Sequence, residues 1–144
     1  MKLLFVDTSS LFKFYYPESD SDAVEARLAD AERVAISELS RVEFSSVVAR
    51  KVRMREIDRK QYTQLMSAFD EDCLSRVFAL IPLSGEVLDE ARTLMERLGL
   101  HSPLRTLDSI QLACAIRSGA ESFLCHDNRL AEMAGHIGLH VVNS

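Results

Sequence analysis

The sequence predicts an α/β protein of three layers, with helices on both faces of a central, mostly parallel sheet. Three observations carry that prediction. Short apolar runs, Leu3-Leu4-Phe5-Val6, Val34-Ala35-Ile36 and Ser122-Phe123-Leu124-Cys125, read as strands buried on both faces, as parallel strands are. Stretches with apolar residues at three- and four-residue spacing separate these runs. Asp7, Thr8, Ser9 and Ser10 follow the first of the three at once and His126-Asp127-Asn128 the last, and the ligand crevice of an open parallel sheet lies beyond the carboxyl ends of its strands.

The bulk properties bound the rest. The 144 residues are 47% hydrophobic, which suits a single domain over 1–144 with one sizeable core, and no repeat or linker interrupts it. No apolar run approaches the roughly 20 residues that span a bilayer, so no membrane partner is expected. The first strand is too short for a signal peptide, and a cytoplasmic location is expected. Cys73, Cys114 and Cys125 have neither metal-ligand nor disulfide spacing; Cys114 and Cys125 read as small core residues. A net charge of −5 excludes a generic nucleic-acid coat. Even so, Arg50, Lys51, Arg53, Arg55, Arg59 and Lys60 fall within one short stretch, either a solvated helix end or a phosphate-binding surface.

In chain order, a helix is expected over 11–16, ended by Pro17, and another over 23–31 after the cap-rich Ser19-Asp20-Ser21-Asp22. The strand at 34–36 leads through Ser37 into a helix over 38–54. Its buried stripe reads as Leu39, Val42, Ser46 and Val47, which puts Glu43 on the inward face. A helix over 57–76 turns Tyr62, Leu65, Met66 and Phe69 inward, and a third strand spans 77–83. Ser84 caps a helix ended by Gly99. The helix over 106–118 is apolar almost all round and so reads as buried, with Asp108 and Gln111 its polar spot. A short helix follows the strand at 122–125, and a last strand spans 139–142.

Four acids stand out, each with a plainer reading beside the functional one. Asp7 ends the first strand and either caps the next helix or faces the crevice, and Asp127 repeats that position after the fourth strand. Glu43 on an inward face needs a partner, an arginine such as Arg50 or Arg41 or something in a site. Asp108, in a first helical turn, suits the helix dipole or the same crevice. If the four converge, protonation or a cation must relieve their repulsion. Oxygen ligands alone favour Mg²⁺ or Mn²⁺, ions suited to phosphodiester hydrolysis, with Thr8 and Ser9 placed to position water or phosphate. His136 and His140 have ligand spacing, but Gly138 and a helix-to-strand change break their shared face; His126 either reaches the crevice or, the preferred reading, is a surface turn residue, and the site leaves it out.

Val6-Asp7-Thr8-Ser9-Ser10-Leu11 with Tyr16-Pro17-Glu18 resembles the opening of PIN-domain proteins of the VapC toxin type. Ser40-Arg41-Val42-Glu43 resembles the second acidic motif of that family, and Leu104-Arg105-Thr106-Leu107-Asp108 with Leu112-Ala113-Cys114-Ala115 its third. Phe123-Leu124-Cys125-His126-Asp127-Asn128-Arg129-Leu130 resembles its fourth, so four motifs stand in register over nearly the whole chain. The resemblance implies a metal-dependent endoribonuclease, a homodimer, inhibited by a cognate antitoxin. It implies Asp7, Glu43, Asp108 and Asp127 as the acidic quartet around Mg²⁺ or Mn²⁺, with Ser9 as the hydroxyl of the first motif. Cys125 and Gln111 depart from the pattern, standing where relatives carry a hydroxyl residue and a histidine.

Other readings of the same architecture fit less well. A phosphoacceptor receiver domain needs paired acids after the first strand and a late lysine, and a phosphatase with an Asp-x-Asp nucleophile needs an acid where Ser9 stands. A PIN-fold binding module for RNA or protein, with a degenerate site, is the remaining alternative, because fold alone never establishes activity.

Overall fold

The computed structural model describes residues 2–143. Its five strands, β1 (Leu3–Val6), β2 (Arg33–Ser37), β3 (Ala79–Ile81), β4 (Ser122–Leu124) and β5 (Val141–Val142), form one sheet in the order β3-β2-β1-β4-β5. Every pairing is parallel. The predicted third and last strands are trimmed at both or one end, because β3 and β5 are the sheet's edges and have a neighbour on one side only.

Strand alternation divides the core. Leu4 and Val6 of β1, Ile36 of β2 and Leu124 of β4 pack on one face against α1 (Thr8–Tyr15), α3 (Leu39–Arg53) and α4 (Arg59–Leu74). Phe5, Ala35 and Phe123 pack on the other against α5 (Gly85–Leu98), α6 (Thr106–Ser118) and α7 (Asn128–His136). The remaining helix, α2 (Ser21–Asp30), lies beside α1 and buries Val24. On the α3 side the core is aromatic: Phe44 and Phe69 stack with ring centroids 4.2 Å apart, and Tyr15 meets both edge-on. Among the described residues no helix is long and apolar enough to cross a membrane.

Several expectations shift. Helix α1 starts at Thr8, not at 11, because Asp7 caps it: the carboxylate accepts from the Ser9 N–H at 3.2 Å. The core stripe of α3 is Ser40, Phe44 and Val48, one position round from the predicted one, and Val42 is exposed. The large ring of Phe44 wins the inward position, and the smaller apolar residues yield. Glu43 is therefore half-buried, at the border of the stripe. Helix α6 is buried on most of its circumference, but Leu107 in its first turn is exposed.

Two helices end in the same unusual way. After α3, the Arg55 N–H donates to the Val52 carbonyl and the Glu56 N–H to the Lys51 carbonyl, both at 3.0 Å. After α4, the Arg76 N–H donates to Cys73 and the Val77 N–H to Asp72. Both are Schellman closures, whose left-handed residue is normally glycine. Here it is arginine twice, with φ of 59° at Arg55 and at Arg76. Each costs about 1 kcal/mol relative to glycine. Arg76→Gly is therefore expected to raise the melting temperature by a few degrees, whereas Phe44→Ala is expected to cost roughly 3–5 kcal/mol through the cavity it leaves. Calorimetry on the two variants measures both.

Candidate functional site

The strand order places the site. The sheet runs outward from β1 in one direction through β2 and β3, and in the other through β4 and β5, so the connection reverses between β1 and β4. That switch point opens a crevice at the carboxyl ends of the two strands. Val6 pairs with Leu124, and the Asp7 N–H extends the ladder to the Leu124 carbonyl at 3.0 Å. Asp7 at the end of β1 thus lies beside Cys125 at the end of β4, with Asp127 two residues on.

Asp7 is 5% exposed. Its Oδ2 accepts from the Ser9 N–H, from Ser9 Oγ at 2.6 Å and, more weakly, from Cys125 Sγ at 3.8 Å. Burial outweighs these donors and, with the charge of Glu43 nearby, pushes the Asp7 carboxyl up to about 6. The Cys125 thiol is pushed up in turn, by burial first and then by the Asp7 charge, so it stays protonated and acts as a weak donor.

Glu43 pairs with neither Arg50 nor Arg41; Arg41 is bound to Glu38 at 2.9 Å. Instead, Glu43 Oε1 accepts from Gln111 Nε2 at 2.6 Å and from Thr8 Oγ1 at 2.7 Å. The same Gln111 amide reaches Thr8 Oγ1 and Ser40 Oγ, which lie 2.9 Å from each other. This cluster ties α1, α3 and α6 together. Gln111 Oε1, also buried, has no partner among the described residues. Turning the amide over would face that oxygen toward the Glu43 carboxylate, so the donating orientation is the favourable one.

Asp127 caps α7, accepting from the Arg129 N–H at 3.0 Å and the Leu130 N–H at 3.1 Å. Asp108 meets the Arg129 guanidinium at 3.0 Å and accepts from the Arg105 N–H at 3.4 Å. Arg129 also donates to the Pro103 carbonyl at 2.9 Å, which fastens the loop before α6 to α7. The carboxylates and hydroxyls of Asp7, Thr8, Ser9 and Glu43 have the chemistry of a hard-cation site, though the Cys125 thiol and the Gln111 amide stand among them, and the raised Asp7 and the charge of Glu43 near it are what a cation would relieve. As they stand, each carboxylate is engaged by a protein donor of its own. Among the described residues no group of three or more His, Cys, Asp or Glu is drawn together closely enough to hold a metal ion.

Three residues beyond the predicted set shape this edge. Gln111 holds Glu43, Arg129 holds Asp108, and His126 is not a surface turn residue. Its side chain is 9% exposed, and Nδ1 lies 2.7 Å from Ser10 Oγ. The position of Gln111, three residues after Asp108, signalled its face of α6; nothing local signals a contact between Ser10 and His126.

The model of the PIN domain family matches residues 4–136. The chain belongs to the PIN domain family. It is similar to Ribonuclease VapC47 of Mycobacterium tuberculosis (strain CDC 1551 / Oshkosh), with 29% identity over 142 residues covering 94% of this chain and 93% of that protein. In architecture it is similar to the crystal structure of VapC20 of Mycobacterium tuberculosis, a sarcin–ricin loop cleaving toxin. The TM-score is 0.73 with 15% identity, covering 98% of this chain and 99% of that one. It is likewise similar to FitAcB from Neisseria gonorrhoeae, with a TM-score of 0.71 and 19% identity over 97% of this chain and 96% of that one. The two structural likenesses speak for the fold. In this PIN domain Asp7 follows β1, Glu43 lies in the second turn of α3, Asp108 in the first turn of α6, and Asp127 precedes α7.

The electrostatics of Asp7 give a signature in stability. Its carboxyl lies above the ordinary value of 3.8 in the folded state, so the folded state binds the extra proton between about 4 and 6. Its share of stability is full below pH 4 and is lost as the pH rises through 6, by roughly 3 kcal/mol. In EDTA, Asp7→Asn is therefore expected to be more stable than the unsubstituted protein at pH 7.5, with the gap closing toward pH 4. Denaturant titrations across that range test it; a gap independent of pH contradicts it.

Proposed function

We propose that this chain is a metal-dependent endoribonuclease that hydrolyses RNA phosphodiester bonds, acting in the cytoplasm as the toxin of a toxin–antitoxin pair. The observation that carries the reading is the position of Asp7. A buried carboxylate with a raised affinity for protons ends a strand at the topological switch point, with Glu43 close enough to couple to it. The relative named as a ribonuclease supports the reaction, and the toxins of the same fold support the biological setting. The partners proposed are an RNA substrate, a cognate antitoxin and a second copy of this chain.

Asp7, Glu43, Asp108 and Asp127 would hold Mg²⁺ or Mn²⁺, which when bound lowers the pKa of water, orients the phosphate and offsets charge on the leaving oxygen. Ser9 turns the Asp7 carboxylate toward the crevice through two hydrogen bonds. Thr8 and Gln111 fix the Glu43 carboxylate on the facing helix. Asp127 keeps its place through the α7 cap, and Asp108 joins the site by leaving Arg129. Thr8 and Ser9 are the hydroxyls nearest the reacting phosphate in this scheme.

One observation favours a second reading, a PIN-fold binding module. The carboxylates are engaged by protein donors, and Asp108 is already neutralised by Arg129. The test compares this protein with its Asp7→Asn variant on structured and single-stranded RNA in Mg²⁺, Mn²⁺ and EDTA. Cleavage is expected in either ion, none in EDTA, and a loss of roughly a hundredfold or more in Asp7→Asn. Equal cleavage by both proteins overturns the assignment. No cleavage by either, with a small partner still co-purifying, favours the binding module.

A further inference from the structure

A cleft of about 420 Å³ runs between α1 and α3, from Ser9 at the carboxylate edge to Met54 at the far end of α3. Along α3 that is 11 residues beyond Glu43, or roughly 16 Å at 1.5 Å per residue. Its charged lining is mostly basic: Lys13, Arg50 and Lys51, with Glu18 and Glu56 the acids. Both acids are already matched. Lys13 holds Glu18 at 2.9 Å and Asp20 at 2.8 Å, and Lys51 holds Glu56 at 2.7 Å while lying over the ring of Tyr16. Arg50 is exposed and makes no ion pair among the described residues.

The inner end of the cleft holds the second observation. His126 lines it beside Ser9, with its side chain nine-tenths buried and its Nδ1 engaged by Ser10. Its Nε2 has no hydrogen-bond partner, since Asp20 Oδ2 stands 3.7 Å away and is too far to serve. A buried ring nitrogen left unmatched costs free energy unless a ligand or water completes it. In the tautomer in which Ser10 Oγ donates to Nδ1, Nε2 carries the proton and is an unmatched buried donor on a residue that lines the cleft.

We propose that this cleft is a subsite for the backbone of single-stranded RNA. His126 Nε2–H donates to a phosphate oxygen next to the bond cut at the carboxylate edge, and Arg50 meets the following phosphate. The subsite rests on the ribonuclease reading above. RNA suits it better than an acidic protein because the cleft shares Ser9 with the carboxylate edge. A chain laid across that edge must continue into whatever opens beside it, and phosphates match an unpaired arginine and an unpaired N–H donor.

The experiment measures binding of a fluorescein-labelled single-stranded RNA to the full chain carrying Asp7→Asn, by anisotropy over a range of salt. Added Arg50→Ala is expected to weaken binding roughly three- to tenfold at 100 mM salt and to flatten the slope of log K against log salt by roughly 0.7, one phosphate contact. Added His126→Gln is expected to weaken binding similarly; since His126 is buried, its melting temperature is measured alongside. Arg50 is exposed, so its variant decides the matter if the histidine variant fails to fold. Arg92→Ala, on α5 across the sheet, serves as the control and is expected to leave both affinity and slope unchanged. Unchanged affinity and slope on adding Arg50→Ala, while the Asp7→Asn chain binds RNA and the unsubstituted chain cuts it, overturn the subsite alone. Failure of the unsubstituted chain to bind or cut RNA overturns the ribonuclease reading, and the subsite with it. If Arg50→Ala releases an acidic partner protein while RNA binding is unaffected, the cleft is a protein-binding surface and the proposal fails.

Discussion

Most of this molecule is arranged around one expensive group, the desolvated carboxylate of Asp7. An unpaired carboxylate in a protein interior is costly, and its charged form survives only where donors surround it. Those donors come from two elements. Helix α1 starts at once, so that the Ser9 N–H and hydroxyl close back on Asp7, and β4 lies alongside β1, so that Cys125 borders the same oxygen. The donors do not fully compensate, which is why the group binds its proton more tightly than an ordinary aspartate. Stability and the acidic edge are therefore opposed at neutral pH.

The other three acids are retained by different means, and the difference has chemical content. Glu43 and Asp127 are held by neutral donors, an amide and a hydroxyl in one case and two backbone N–H groups in the other. Neutral donors fix a carboxylate's position without cancelling its charge. Asp108 is instead matched by a full cation, Arg129, which also anchors the loop before α6. Three of the four acids are thus oriented by neutral donors, and Asp108 is matched by an ion pair. Gln111 does for Glu43 what a histidine would do less neutrally: it donates without being able to acquire a charge of its own.

The long-range part of this edge also shows where stability comes from. The aromatic packing of Phe44 on Phe69 and Tyr15 seats α3 against α1 and α4, and only with α3 seated do Ser40 and Glu43 meet Thr8 and Gln111. The arginines in left-handed conformation at the ends of α3 and α4 act in the opposite direction. They spend about 1 kcal/mol each at positions where glycine is free of strain. At Arg55 the strained residue lies in the basic stretch that follows the proposed RNA subsite.

By itself the sequence determined the layer architecture, the approximate elements and the acids at strand ends. Each of these is a local pattern: apolar runs of strand length, helical spacing between them, and Asp7 and Asp127 immediately after a run. Local patterns were silent or misleading where two distant segments decide the outcome. The inward stripe of α3 was misplaced by one position because the winner, Phe44, is chosen by the rings of Phe69 and Tyr15, which periodicity does not see. Arginine partners for Glu43 were reasonable from charge alone, yet the partner is Gln111, brought in by the packing of α6 against β2. His126 looked like an exposed turn residue until its contact with Ser10 buried it. Only the tertiary structure decided these, because a buried polar side chain takes its partner from whichever element the packing of apolar surfaces brings within hydrogen-bond reach.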